Sequence, residues 1–353
     1  MKRAALAAAA VMLAVELGLR VVGYSAPQWY ELDRELGWRL HPHRHGWYLA
    51  DGVKSPVHIT GAAVRDREHT LDKPDGVYRI AVLGDEYSEA MAVPVQQTWW
   101  WQLPRELQRC GFQPDKLLEV LNFGVGGYGT AQEYVLLETR AMRYQPDLVL
   151  LQFSPNDVID NSRELTADKD RPFFVLDRHG VARIDDSFTD APSFDDRMQT
   201  RYRLAEEIAD HSRSYQLARQ MAELALIGEA HAGGDLAVLR EPRDPAWESA
   251  WRVTQAAIAK LNSLTRRNGA ELAVVSIPHP RQAGQRLGYP DQRLAAFGKQ
   301  AGIAVLTLPV LRSQMYTASG HWTPAAHRVA VEALAHGICR ELDRPRAATA
   351  QPG

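Results

Sequence analysis

Cysteine is scarce: Cys110 and Cys339 are the two in 353 residues. They can pair in an oxidising compartment, but each closes a helix-like segment, and two half-buried thiols are the expectation. Charge of one sign is lacking as well. The chain carries 41 Lys and Arg against 43 Asp and Glu, a formal net charge of −2. No basic stripe is present to follow a phosphate backbone, so nucleic acid is excluded as the expected partner. The turn after the first buried apolar run has no Gly-x-Gly-x-x-Gly, which excludes a dinucleotide cofactor, and no other cofactor is expected. His41, His43 and His45 crowd together without an acidic or cysteine residue at metal-ligand spacing, so a solvated loop is expected there and no metal. Internal repeats are absent. A long apolar run occurs once, at the start.

That run extends from Ala4 to Gly23 behind Lys2 and Arg3, interrupted by Glu16 and Arg20. A positive start and a short apolar stretch resemble a secretory signal, with a poor cleavage site at Tyr24-Ser25-Ala26. The rival is an uncleaved anchor, because residues 4–23 have about the length needed to span a bilayer. Glu16 is costly in lipid, although Arg20 stands one helical turn away. Either reading puts the body of the protein outside the cytoplasm, exported or periplasmic.

The rest has an ordinary globular composition, 45% hydrophobic and 24% charged, enough for a sizeable core. Residues 27–76 lack lasting periodicity and read as an irregular lead-in wrapping the domain, with one short strand over 56–60 and an exposed polar run at Arg65-Asp66-Arg67-Glu68. From residue 77 apolar β runs alternate with helical patterns. Strands are expected over 79–83, 118–123, 147–153, 271–277 and 303–307. Helices are expected over 98–110, 130–142, 248–267, 291–301 and 324–341. Continuous apolar strands alternating with helices imply a parallel sheet covered on both faces, an α/β fold in three α/β/α layers. Residues 158–246 form an insertion with a hairpin at 173–184, a polar loop over 185–197 and helical spacing over 200–228. It is a candidate lid or recognition cap, or else an outlying decoration. Pro345 to Gly353 read as a disordered tail.

The stretch Arg79-Ile80-Ala81-Val82-Leu83-Gly84-Asp85-Glu86-Tyr87-Ser88 is a buried strand that feeds a tight turn and a helix start. Ligands of open α/β sheets bind outside the carboxyl ends of the strands, so a site is expected at this turn. Two further stretches follow apolar strands: Asn122-Phe123-Gly124-Val125-Gly126-Gly127 and Ser154-Pro155-Asn156-Asp157. The last is Gly320-His321-Trp322-Thr323-Pro324, where Thr323 and Pro324 are suited to opening a helix. Each alone can be turn or packing chemistry.

Together, and in this order, the four stretches resemble the blocks of the SGNH (GDSL-type) hydrolases over about residues 77–340. These are esterases, lipases and carbohydrate acyl-ester enzymes. The resemblance implies a five-stranded, parallel, flavodoxin-like sheet over 77–344. It implies His321 as general base and an oxyanion hole made by Glu86 N–H, Gly127 N–H and Asn156. Asp85 and Asp157 are implied to hold their turns. The pattern departs at two places. Glu86 stands where the family has its nucleophilic serine, and Ser319, after Ala318, stands where the family has the acid that orients the histidine. Ser88 points to another side of the first helical turn and is at most a supporting residue.

A Glu at a helix start is favoured by the dipole, and it can fill the oxyanion hole with its own oxygens. Whether it turns into or out of the hole stays open. The expected ligand is a small acyl ester or a carbohydrate, as of a cell-envelope or exported polysaccharide, and the expected serine esterase activity is weak or lost. The alternative is an inactive SGNH domain that binds such a ligand or a partner protein. Trp99-Trp100-Trp101 cannot all face a core, and packing under the lead-in is preferred over stacking on a sugar.

Overall fold

The computed structural model describes residues 2–50, 52–230, 236–282 and 288–342. Helix α1 (Lys2–Val21) precedes two antiparallel hairpins, β1 (Tyr30–Asp33) with β2 (Gly37–Leu40) and β3 (His45–Ala50) with β4 (Val53–His58). The alternating part begins with β5 (Val77–Leu83), the single turn α2 (Glu86–Glu89) and α3 (Trp99–Arg109). It continues through β6 (Leu117–Asn122), α4 (Thr130–Thr139), β7 (Leu148–Phe153) and α5 (Asp157–Asp160). The insertion then supplies the hairpin β8 (Phe173–Leu176) and β9 (Ala182–Asp185), followed by α6 (Pro192–Met198), α7 (Thr200–Asp210) and α8 (Arg213–Ala230). The chain returns through α9 (Pro245–Arg267), β10 (Glu271–Ser276), α10 (Tyr289–Ala301), β11 (Ala304–Thr307) and α11 (Pro324–Glu341).

The central sheet runs β6-β5-β7-β10-β11, all parallel. Counted among themselves in chain order, its strands lie 2-1-3-4-5, the flavodoxin-like arrangement. Alternation along each strand splits the core between the two faces. Ala81, Leu83, Val149, Leu151 and Val274 pack with Leu137 of α4, Trp251 and Ile258 of α9 and Leu294 of α10. Ile80, Val82, Leu148, Leu150 and Val275 pack with Trp100 and Leu103 of α3 and Val331 and Leu334 of α11. Three layers result, with β7 buried at every position. The strand order reverses between β5 and β7, and the crevice at such a switch point is where this architecture places ligands.

Several expectations need correction. The strand expected over 56–60 belongs to β4, paired residue for residue with β3, and β1 and β2 form a second hairpin in the same lead-in. Leu36, Leu40, Val57 and Ile59 from these hairpins join the α4–α9 core, so the lead-in is packed strand structure. Arg65 and Asp66 are 1% and 5% exposed. Asp66 accepts from Asn122 N–H at 2.9 Å and faces His69 at 3.1 Å, which satisfies a charge that reads as solvated in sequence. Cys110 and Cys339 are joined as a disulfide across the α3–α11 pair, with Cα atoms 6.4 Å apart, in place of the two thiols expected. Part of the polar loop at 185–197 is helix α6, started by Pro192 at its first turn. Trp99 and Trp100 are buried, while Trp101 lies partly exposed beneath the Arg67 guanidinium at 5.1 Å. The tail after residue 344 lies outside the described residues.

Candidate functional site

The site is built on the turn after β5. Gly84 is the residue this turn requires, because a Cβ there would stand 2.3 Å from Gln152 Oε1 and 2.6 Å from Ser88 Oγ. Gln152 is the one polar side chain on the otherwise apolar β7, and its Oε1 accepts from Asp85 N–H at 3.1 Å and from Ser88 Oγ at 2.9 Å. Asp85 caps α2, accepting from Tyr87 N–H at 3.1 Å. Its other oxygen accepts from Ser154 Oγ at 2.5 Å. Burial raises the Asp85 pKa, and these donors oppose that rise. The turn is thereby tied to β7 and to the segment that follows it.

Above α2 lies a cavity of about 430 Å³, lined by Glu86, Gly127, Ser319 and His321 with Tyr30 and Trp322 among others. Gly127 has φ +74, a left-handed conformation that costs glycine little. Glu86 keeps part of its surface toward this cavity. Burial on its other sides pushes its carboxyl pKa well above the usual range, and Asp85 adds to the rise. Its own backbone N–H and that of Gly127 face the carboxylate and act in the opposite direction. Ser319 Oγ stands 2.7 Å from His321 Nδ1. Thr317 Oγ1 lies 3.1 Å from Ser319 Oγ and accepts from His321 N–H at 3.1 Å. The pair is carried by a tight turn between Tyr316 and Trp322, which bridge each other just before the Thr323 cap of α11.

The other candidate residues do not line the cavity. Ser88 is 0% exposed and committed to Gln152. Asn156 Nδ2 stands 3.4 Å from both Asp85 Oδ2 and Asp160 Oδ2, between two acids and outside the cavity lining. Asp157 accepts from Ser154 N–H at 2.8 Å and holds the turn after β7. Burial pushes the Asp157 pKa up, with Glu133 adding to the rise. Glu86, Gly127, Ser319 and His321 therefore share one cavity, while Asn156, Asp85, Asp157 and Ser88 lie outside its lining. Among the described residues no three His, Cys, Asp or Glu side chains gather at metal-binding spacing.

Sequence reasoning missed the residues that brace the site from elsewhere. Tyr30 reaches in from β1, and its hydroxyl donates to Glu89 at 2.8 Å. The same carboxylate accepts from Gly126 N–H at 3.0 Å. Arg65 donates to the carbonyls of Glu89, Ala90 and Val93 at 2.8, 2.8 and 2.5 Å. Gln152 did carry a signal, as a lone polar residue inside a strand buried on both faces. Tyr30 and Arg65 carried none.

Glu89 gives the site a pH dependence. Burial lifts its pKa to about 7 against the pull of Gly126 N–H, Tyr30 and Arg65. Because folding raises the pKa of this acid, the native state holds the proton more tightly, and stability falls as pH rises from the ordinary 4.5 through about 7. Glu89→Gln keeps an acceptor for Gly126 and offers an amide to the Tyr30 oxygen. Between about pH 5 and about pH 8 the wild type is expected to lose on the order of 2 kcal/mol more than this variant. Urea unfolding at the two pH values measures the difference, and equal losses would clear Glu89 of the effect.

All four blocks of the resemblance converge on one end of the sheet: three follow β5, β6 and β7, and the fourth precedes α11. The five-stranded parallel sheet between two helical layers is the architecture that the resemblance implies. No protein-family model and no curated protein matches the chain. Solved structures similar to it include TesA, at 16% identity and TM-score 0.39, covering 74% of this chain and 97% of that one. The psychrotrophic esterase EstA from Pseudoalteromonas sp. matches at 12% identity and TM-score 0.40, covering 75% and 99%. Axe2, an acetyl-xylooligosaccharide esterase from Geobacillus, matches at 10% identity and TM-score 0.41, covering 78% and 100%. At these scores the likeness transfers no residue role and no activity.

Proposed function

We propose that this chain is an exported SGNH-type domain that holds a small acyl-ester or carbohydrate ligand in the Glu86–His321 cavity and does not turn it over by serine esterase chemistry. One observation carries the reading: Glu86, and no serine, stands at the start of α2 and shares the cavity lining with Gly127 and His321, with its carboxyl group toward Gly127 N–H and its own N–H. Acyl transfer needs such donors for the oxyanion that develops in the transition state. Here the Glu86 carboxyl group already faces them, so the donors are taken before an oxyanion can form. The nearest hydroxyl on the same turn, Ser88, is buried and bound to Gln152.

The expected result is that the purified full chain hydrolyses p-nitrophenyl acetate and butyrate no faster than its His321→Ala variant. Binding of an acetylated xylo-oligosaccharide, followed by calorimetry, is expected in both wild type and Glu86→Gln. Wild-type turnover that Glu86→Gln abolishes would overturn the reading and make Glu86 itself the reactive group.

A second reading rests on the 2.7 Å contact between Ser319 Oγ and His321 Nδ1. The two ring nitrogens of an imidazole can exchange roles, so this is a hydroxyl beside a base. In this reading the hydroxyl and the carboxylate have changed places around His321, and Ser319 takes the acyl group. A fluorophosphonate that labels Ser319 in the wild type, but not in His321→Ala, would establish it.

A further inference from the structure

Helix α1 has 20 residues, is apolar along most of its length, and buries none of its apolar stretch in the protein. At about 1.5 Å per residue such a helix is roughly 30 Å long, the thickness of a bilayer core. Leu6, Val11, Met12 and Leu13 are each 60% or more exposed. Composition alone does not separate an anchor from a signal that is removed. Glu16 does.

Its carboxylate accepts from the backbone N–H groups of Arg213 and Ser214 at 3.0 and 2.9 Å. It also accepts from the hydroxyls of Ser214 and Ser212 at 2.9 and 3.1 Å. These are donors at the start of α8, which has no intrahelical partners for its first turn. Arg20 completes the joint, donating to Glu16 at 2.9 Å and to the His211 carbonyl at 2.9 Å. The chain after α1 is tied to the same helices. Tyr24 donates to Gln220 at 2.6 Å, Ala26 N–H to Gln216 at 2.9 Å, Arg219 to the Ala26 carbonyl at 2.8 Å, and Gln28 N–H to Asp210 at 2.9 Å. Removal of residues 1–26 would strip the cap from α8 and cut through these contacts.

We propose that α1 is a permanent part of the mature protein, crosses the lipid bilayer, and is fixed through Glu16 to the start of α8, so that the insertion is held at the membrane surface. The costly charge in an apolar helix then has a use. It lies five residues before the helix end at Val21, where its partners on the insertion neutralise it; the roughly 21 Å of helix before it meets the bilayer core with local thinning at this edge. Lys2 and Arg3 hold the other end on the cytoplasmic side. Exposed apolar residues on the neighbouring helices, Leu204 and Ile208 of α7 and Met221 of α8, are 58%, 65% and 64% exposed and suit an interfacial position.

The test uses the full chain with a carboxyl-terminal tag, expressed in a bacterium and recovered from membranes. The intact mass is expected to include residues 1–26, and the protein is expected to resist carbonate extraction. A mature chain beginning after Ala26, or release by carbonate, overturns the proposal. The joint is tested in the same membranes by limited trypsin digestion of the segment from Arg197 to Arg213. Glu16→Ala, and independently the Ser212→Ala and Ser214→Ala pair, are expected to stay in the membrane but to be cut there at least tenfold faster, with Glu16→Gln intermediate. Unchanged cleavage in both variants overturns the coupling.

Discussion

Replacing Arg65 by methionine is expected to destabilise the protein by roughly 3–5 kcal/mol. The guanidinium is 1% exposed and gathers the carbonyls of Glu89, Ala90 and Val93, at the point where α2 ends in a left-handed turn at Ala90. Methionine fills much of the volume but leaves those carbonyls without that donor. Each buried acceptor left unmet costs about 1–3 kcal/mol, and hydrogen bonds to a charged group lie at the upper end of the net range. Burial lowers the Arg65 pKa to about 10, which leaves it charged at neutral pH, so the contacts are charge-assisted. Arg65→Lys should recover part of the loss, because an ammonium cannot match the fork that serves these carbonyls together. Urea unfolding of the three proteins gives the answer, and a loss below about 1 kcal/mol for Arg65→Met would show that solvent or neighbouring donors replace the clamp.

Arg65 also shows why part of the site was not legible. In sequence it stands in a polar run whose simplest reading is a solvated surface. What buries it is a set of carbonyls 24 to 28 residues away, presented by a turn whose shape no local pattern records. Tyr30 meets Glu89 across 59 residues, and Cys110 meets Cys339 across 229. Such pairings are fixed by the closed fold. The strands and helices of the sandwich were legible because each carries its own signal, a continuous apolar run or an apolar stripe of helical period. In the lead-in part of β4 was legible, but β1 and β2 were not, since they have four residues each and are rich in Trp, Tyr and charge. The four short blocks were legible because turns at strand ends demand particular residues: a glycine where Gln152 approaches, an aspartate to cap one helical turn. Asn156 is where the blocks and the structure diverge, since its amide is drawn down between Asp85 and Asp160.

Glu86→Ser combined with Ser319→Asp is expected to create esterase turnover of p-nitrophenyl acetate that Glu86→Ser alone barely shows. The first change removes the carboxyl group that faces the two N–H donors and puts a hydroxyl at the start of α2. The second puts a carboxylate where Ser319 Oγ now meets His321 Nδ1 at 2.7 Å. A carboxylate there holds the imidazole in the tautomer that accepts a proton from the new serine and stabilises the imidazolium that forms. In serine proteases the corresponding group is worth about 10⁴ in kcat, so a gain of about 10²–10⁴ for the double over the single variant is the expected range. The gain has a ceiling. Asn156 is held away from the cavity, and a missing oxyanion donor costs about 10²–10³. Aspartate is one bond longer than serine, so Ala318→Asp on the Glu86→Ser background serves as a companion that approaches the imidazole from the preceding residue. His321→Ala must abolish whatever is gained. If all variants melt like the wild type and neither acid adds turnover to Glu86→Ser, then His321 is not poised over position 86, and the cavity is not a disarmed hydrolase centre.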